Sequence, residues 1–239
     1  MALATWNKAG VIPEVSQRDD GYTGAAYIFI EEATGDNAII VCPGVAGAIA
    51  PADLDVHADM IARAGVFLTQ LEQPMDAAMR GLTLARAAGA TTILNPAPAA
   101  PLPEGMLALC DYLTPNESEA EALTGIAVDG PATAEAAAKA LVAHGVGAAI
   151  ITLGAQGALF HDGSRAEHVP AYFAGTVVET TGAGDAFNGG FATALAEGCD
   201  PIEAMRFGCA TAAISVTRRG TAPAMPARAE IDALLAKGA

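Results

Sequence analysis

The sequence predicts an α/β sandwich, with a mostly parallel central sheet, helices on both faces and a small β hairpin to one side. Three observations carry that expectation. From Pro51 onward, short apolar strands alternate with helical stretches, and repeated strand–helix units imply a parallel sheet covered on both faces. The run Ala148–Thr152 is apolar without alternation, as a strand buried on both sides should be. The chain of 239 residues is 52% hydrophobic and only 16% charged, which is ample material for one large core. No internal repeat or long linker divides it, so residues 1–239 read as one domain carrying a hairpin at 22–43.

Each element has a local reason. Ala2–Lys8 reads as a helix with Gly10 as its C-cap and Pro13 just beyond, but it has no N-cap. Either the terminus frays, or Met1 corresponds to an internal position of a longer ancestor; the second reading is preferred. Ala25–Glu31 and Asn37–Cys42 are β-rich runs joined by Glu32–Asp36, a hairpin pattern. Then follow a helix over Asp53–Ala64, a strand over Val66–Thr69, a helix over Met75–Ala88 ending at Gly89, and a strand over Thr91–Leu94. A short helix over Glu104–Leu109, a minimal strand at Tyr112–Leu113 and helices over Glu117–Thr124 and Ala132–His144 lead to the strand Ala148–Thr152. Ala158–Phe160 and Glu167–Val169 read as a late antiparallel pair, and Ala186–Ala196, Pro201–Val216 and Ala227–Ala236 as closing helices.

Composition excludes several functions. The net charge of −15 argues against nucleic acid or an anionic membrane as partner, so a phosphate would have to be held locally by backbone dipoles and a metal. No apolar run is long enough to span a bilayer, and the N-terminus lacks the regions of a signal peptide. Cys42, Cys110, Cys199 and Cys209 have no metal-ligand spacing and read as free thiols of a cytoplasmic protein.

The most informative stretch is Val177–Gly190. An apolar β-branched run ends at Glu179; small residues follow, and Asp185 opens a helix-competent segment. Glycines let backbone N–H groups converge, and a helix N-terminus adds partial positive charge, so Gly182, Ala183 and Gly184 could cradle an anion. An acid beside such a cradle is out of place as an anion ligand but suits a general base acting on a hydroxyl. The plain alternative is that Asp185 only caps an Ala-rich helix. Two other glycine-rich templates fail: a dinucleotide fingerprint needs Gly where Phe187 stands, and a Walker loop needs Lys-Ser/Thr where Gly190-Phe191 stands.

Polar loops follow four strands: Gln70-Leu71-Glu72, Asn95-Pro96-Ala97-Pro98, Thr114-Pro115-Asn116-Glu117 and Leu153-Gly154-Ala155-Gln156-Gly157. In a parallel sheet ligands bind outside the carboxyl ends of strands, so all four should open onto the edge bearing Gly182–Asp185. Asn116–Glu119 is either a capping cluster or a place where Glu119 holds a hydrated Mg²⁺ and Asn116 reaches a phosphate oxygen. Thr152–Gly157 is either an ordinary strand exit or a polyphosphate loop, and Arg218–Pro223 a solvated basic turn or part of a site. His57, His144, His161 and His168 are scattered, and none carries an assignment.

Thr181-Gly182-Ala183-Gly184-Asp185, Asn116-x-x-Glu119 and Thr152-x-Gly154-x-x-Gly157, in that context, resemble the motifs of the ribokinase-like (PfkB) carbohydrate kinases. The resemblance runs from about Gly21 to Leu234 and is nearest the ribokinase branch. It implies a ribokinase-like three-layer sandwich with residues 22–43 as part of a β lid. It implies ATP-dependent phosphorylation of a pentose hydroxymethyl, with Asp185 as base and the Gly182–Asp185 amides holding the phosphoryl group. It places Asn116, Thr152, Leu153, Gly154, Ala155, Gln156, Gly157 and Cys209 at the nucleotide, with Ala212 and Ala213 near the base. It places Glu72 at the sugar and Glu119 at Mg²⁺. A monovalent cation (K⁺) would lie among Glu179, Thr181, Ser215, Arg218, Gly220 and Ala224, although the family pattern has Asp where this chain has Glu179. Family dimers pair through the lid, so a homodimer is expected. The family's first βαβ segment, with a Gly-Gly-Lys-Gly-Ala-Asn sugar loop, has no counterpart here. A second expectation follows: a shortened homologue that binds nucleotide without turning over sugar.

Overall fold

The computed structural model describes residues 2–30 and 37–238. Helix α1 (Ala2–Lys8) buries none of its residues, and Gly10 follows it with φ 77°. Strands β1 (Thr23–Ile30) and β2 (Asn37–Gly44) form a separate antiparallel ribbon in which Ala26 faces Val41 and Tyr27 faces Ile40. Glu31 and the turn expected at Glu32–Asp36 lie outside the described residues.

The helix expected over Asp53–Ala64 is two helices, α2 (Pro51–Val56) and α3 (Ala58–Ile61). Pro51 starts α2 two residues early, because a first helical position suits its fixed φ. The break falls at His57, whose N–H bonds three residues back to Leu54. No residue of α2 is buried, although half-buried Leu54 packs against Ile61, Ala85 and Ala90.

The main sheet contains β3 (Val66–Thr69), β4 (Thr91–Leu94), β5 (Tyr112–Leu113), β6 (Ala148–Thr152), β7 (Ala158–His161) and β8 (Ala166–Val169), in that spatial order. β3 to β6 are parallel, and β7 and β8 add antiparallel strands at one edge. Between them lie α4 (Met75–Ala87), α5 (Glu117–Thr124) and α6 (Pro131–Ala143); α7 (Ala183–Ala196), α8 (Pro201–Ser215) and α9 (Arg228–Leu235) follow. The expected helix at Glu104–Leu109 shrinks to a 3₁₀ turn at Leu107–Leu109, because Gly105 sits at φ 80° and a right-handed helix cannot run through it.

Strand alternation divides the apolar residues between two cores. Ile93, Ile150 and Phe160 pack with Phe187, Phe191, Met205 and Ala210 of α7 and α8. Their neighbours Leu94, Ile151 and Leu159 pack instead with Leu82, Ala120, Ala137 and Leu141 of α4 to α6. Helix, sheet and helix thus make three layers. Tyr112 meets Phe191 edge to face at 5.1 Å, fastening α7 to the middle of the sheet. Gly190 lets α7 approach α8 closely, since a Cβ there would lie 2.5 Å from Thr211 Oγ1.

Candidate active site

The four polar loops do leave the carboxyl ends of their strands, and hydrogen bonds stitch them together. Asn95 N–H donates to Thr69 O at 2.9 Å, Leu71 N–H to Ala97 O at 2.9 Å, and Thr152 N–H to Pro115 O at 2.9 Å. Beside the third and fourth loops opens a cavity of about 970 Å³, large enough for a nucleotide. Its polar end is formed by Asn116, Thr152, Gly154, Gly157, Ala183 and Gly184; Cys209, Ala212 and Ala213 line its apolar part. The loops at Gln70–Glu72 and Asn95–Pro98 share the edge but do not line this cavity. Glu72 is exposed and stands outside it.

Helix α7 starts at Ala183, earlier than the sequence suggests. Gly182, at φ 79°, is its cap, so Asp185 is the third helical residue and not the cap. Ala183 N–H already donates to Thr180 O at 3.1 Å, which removes it from the expected cradle. Among the described residues no protein group accepts from the N–H of Gly182, Gly184 or Asp185, so three donors remain at the positive end of the helix. The Asp185 side chain reaches solvent, yet the surrounding protein costs its charged form hydration and raises its carboxyl above the ordinary aspartate value. Water access limits that effect. A carboxylate so placed is a better base than a free one.

At α5 the capping arrangement is fully formed. Asn116 Oδ1 accepts from Glu119 N–H and Ser118 Oγ, both at 2.9 Å, and Glu119 Oε2 accepts from Asn116 N–H at 2.9 Å. Glu119 is buried, and burial raises its carboxyl while the Asn116 amide bond opposes the rise. Among the described residues no three His, Cys, Asp or Glu side chains converge as a metal cage. Glu119 does not line the cavity, whereas its neighbour Glu117 does, so Glu119 could act on a hydrated Mg²⁺, which takes one or two carboxylates plus phosphate oxygens, only through water.

The Thr152–Gly157 turn is closed by Leu153 N–H to Gly157 O at 2.8 Å and Gly157 N–H to Gly154 O at 3.1 Å. Gly157 has φ 93°, and a Cβ there would lie 2.0 Å from Val169 O, so only glycine lets this turn pass beside β8. Ala155 lines the cavity. Leu153 is buried beneath the turn, and Gln156 stands outside the lining, its carbonyl bound by His168 Nε2 at 2.6 Å. Burial pushes the Cys209 thiol up to about 12, which keeps it an inert wall.

The segment before α7 is tied to the loop after α8. Val178 N–H donates to Val216 O at 2.8 Å, and Glu179 Oε2 accepts from Gly220 N–H at 2.9 Å. Thr181 Oγ1 is buried with no hydrogen-bond partner, the kind of orphaned oxygen a cation would satisfy. Ser215 Oγ donates to Ala212 O at 2.8 Å, and the Arg218 guanidinium pairs with Glu230 and not with this cluster. The Ala224 N–H donates to Thr221 O at 3.0 Å.

No motif marks the cavity wall at Ala171–Thr176, which includes Phe173, 83% exposed. Its only signal was a stretch with neither helical nor strand periodicity directly before the cradle.

Comparison with known proteins bears on the family and the fold. The family model for pfkB family carbohydrate kinases matches residues 1–228. A ribokinase of Haemophilus influenzae is 38% identical over 87% of this chain and 67% of its own length. The crystal structure of a Thermotoga maritima ribokinase superposes with TM-score 0.86 at 36% identity, covering 98% of this chain and 76% of that one. An Arabidopsis thaliana ribokinase complexed with ribose and ATP superposes with TM-score 0.82 at 31% identity, over 90% of this chain and 70% of that one. The four cysteines are free, and no helix among the described residues is long and apolar enough to cross a membrane. The chain belongs to the pfkB family of carbohydrate kinases.

Proposed function

We propose that this chain transfers the γ-phosphoryl group of ATP to a hydroxymethyl oxygen of ribose or a closely related pentose. The observation that carries the reading is the first turn of α7, where three unbonded amides and a carboxylate with a raised pKa stand beside a nucleotide-sized cavity. Relatives named ribokinase, one of them complexed with ribose and ATP, supply the substrate class.

Asp185 takes the proton of the sugar hydroxyl as its oxygen bonds to the γ-phosphorus. The bond from that phosphorus to the bridging oxygen breaks, and the electron pair leaves with ADP. The amides of Gly182, Gly184 and Asp185 hold the moving phosphoryl oxygens, and such transfer depends mainly on positioning and charge stabilisation. Asn116, Thr152, Gly154, Ala155 and Gly157 receive the polyphosphate, and Cys209, Ala212 and Ala213 flank the base. Mg²⁺, held through water near Glu119, would neutralise polyphosphate charge. Glu72 would bond the sugar hydroxyls, and a monovalent cation would sit between Glu179 with Thr181 and the 215–224 loop. The reading also treats the whole chain as one catalytic unit with residues 22–43 as a lid. It includes a homodimer through the exposed apolar faces of that ribbon and a location in the cytoplasm, where ATP is supplied.

The test measures ADP release against ribose at saturating ATP. Saturable, ribose-dependent release is expected, and Asp185→Asn should lower turnover by roughly 10²–10⁴-fold. ATP binding without any sugar-dependent release, or an unaffected Asp185→Asn variant, overturns it.

A further inference from the structure

The polar residues along the sheet edge form one hydrogen-bonded chain that ends in the cradle. Asn95 N–H reaches Thr69 O at 2.9 Å, and Asn95 Nδ2 donates to Thr114 O at 2.8 Å. Thr114 Oγ1 donates to Asn188 Oδ1 at 2.7 Å, and Asn188 Nδ2 donates to Gly184 O at 3.0 Å. Thr114 is 2% exposed and Asn188 4%, so water does not compete for the bond between their side chains. The orientation of the Asn188 amide follows from its partners. The Gly184 carbonyl can only accept, so Nδ2 must face it, and Oδ1 is left for the threonine hydroxyl.

We propose that Asn188 is a positioning residue for the phosphoryl transfer, acting through the Gly184–Asp185 peptide. The Gly184 carbonyl and the Asp185 N–H belong to one planar unit. Gly184 lies within α7, whose main-chain bonding already orients the plane, and a second donor on that carbonyl holds and polarises it further, which strengthens the N–H on the other side. That N–H is one of the three unbonded cradle amides, and the same residue carries the base. Thr114 in turn lies two residues before Asn116, at the carboxyl end of β5. The chain of bonds therefore sets the catalytic turn in register with the strand ends that carry the nucleotide loops. The inference rests on the kinase reading above.

The experiment compares Asn188→Leu with the double variant Thr114→Val/Asn188→Leu. The single variant leaves the Thr114 hydroxyl buried with only a 3.5 Å contact to Leu94 O, and it should lose both melting temperature and turnover. The double variant removes both partners with little change in volume, so its melting temperature should recover toward wild type. Its kcat should stay about tenfold to hundredfold low, somewhat less than the ~10²–10³-fold loss from deleting a transition-state donor outright. KM values for ATP and sugar should change little, the signature of an interaction made in the transition state. Recovery of kcat together with melting temperature shows a purely structural role and overturns the proposal. An independent readout is the amide proton shift of Asp185 in ¹⁵N-labelled protein, which should move upfield in both variants; an unmoved resonance also overturns it. Failure of the kinase reading itself is distinguished in the unsubstituted protein, which would then release no ADP in response to ribose.

Discussion

Replacing Gly184 by alanine should make the protein more stable and a worse catalyst. Gly184 is the second residue of α7, its φ lies outside the left-handed region, and a Cβ built there meets nothing within 4 Å. Alanine in a helix gains roughly 0.5–1 kcal/mol over glycine through the lower entropy of its unfolded chain. For a protein of this size 1 kcal/mol moves Tm by about 2–4 °C, so a rise of about 1–4 °C is expected. The open space that makes the methyl harmless to the fold is the space a phosphoryl oxygen must enter to reach the Gly184 and Asp185 amides. Turnover should therefore fall by about 10²–10³-fold, as for loss of one donor to transition-state charge. Gly189→Ala is the internal control: it lies in the same helix, is exposed, has nothing within 4 Å, and does not line the cavity. It should show a similar Tm gain with unchanged kcat. Thermal melts without ligand and initial rates of ADP release decide the matter. A Gly184→Ala enzyme with wild-type turnover would refute the assignment of this turn to the phosphoryl group.

Three further outcomes follow from the same site. Because burial raises the Asp185 carboxyl, the acid limb of kcat/KM should fall at a pH above the ordinary aspartate range. The folded state binds that proton more tightly than the unfolded chain, so the group costs stability as pH rises through its folded pKa. Asp185→Asn should accordingly melt higher than wild type at neutral pH, and an equal or lower Tm there contradicts the shift. If the orphaned Thr181 hydroxyl serves a cation, KCl should stimulate turnover relative to choline chloride, and Thr181→Val should abolish the stimulation while leaving the fold intact. Equal rates in the two salts dispose of the cation.

Much of the architecture was legible because its determinants are local. The consecutive apolar residues Ile93-Leu94 and Ile150-Ile151 mark strands buried on both faces, and Gly89 and Gly125 stop helices where a left-handed residue must follow. The split of α2 from α3 was not legible, since Asp55-Val56-His57-Ala58 holds neither Gly nor Pro to mark a break. The cradle motif was visible as small residues before an acid. The true helix start was not, because it depends on the αL conformation of Gly182, and the loss of the Ala183 amide depends on the Thr180 carbonyl nearby. Asn116 and Glu119 presented two readings, and the structure realises the capping one in its hydrogen bonds. Asn188 passed unnoticed because its partner, Thr114, is 74 residues away in the chain.

The division of each strand between two cores bears on how such a chain can change. Neighbouring residues of β6 serve opposite faces, so losing or gaining one residue inside the strand would turn Ile150 and Ile151 toward the wrong helices at once. Length variation among descendants should therefore collect in connections such as the stretch between α5 and α6, leaving the strands fixed in length while their loops drift.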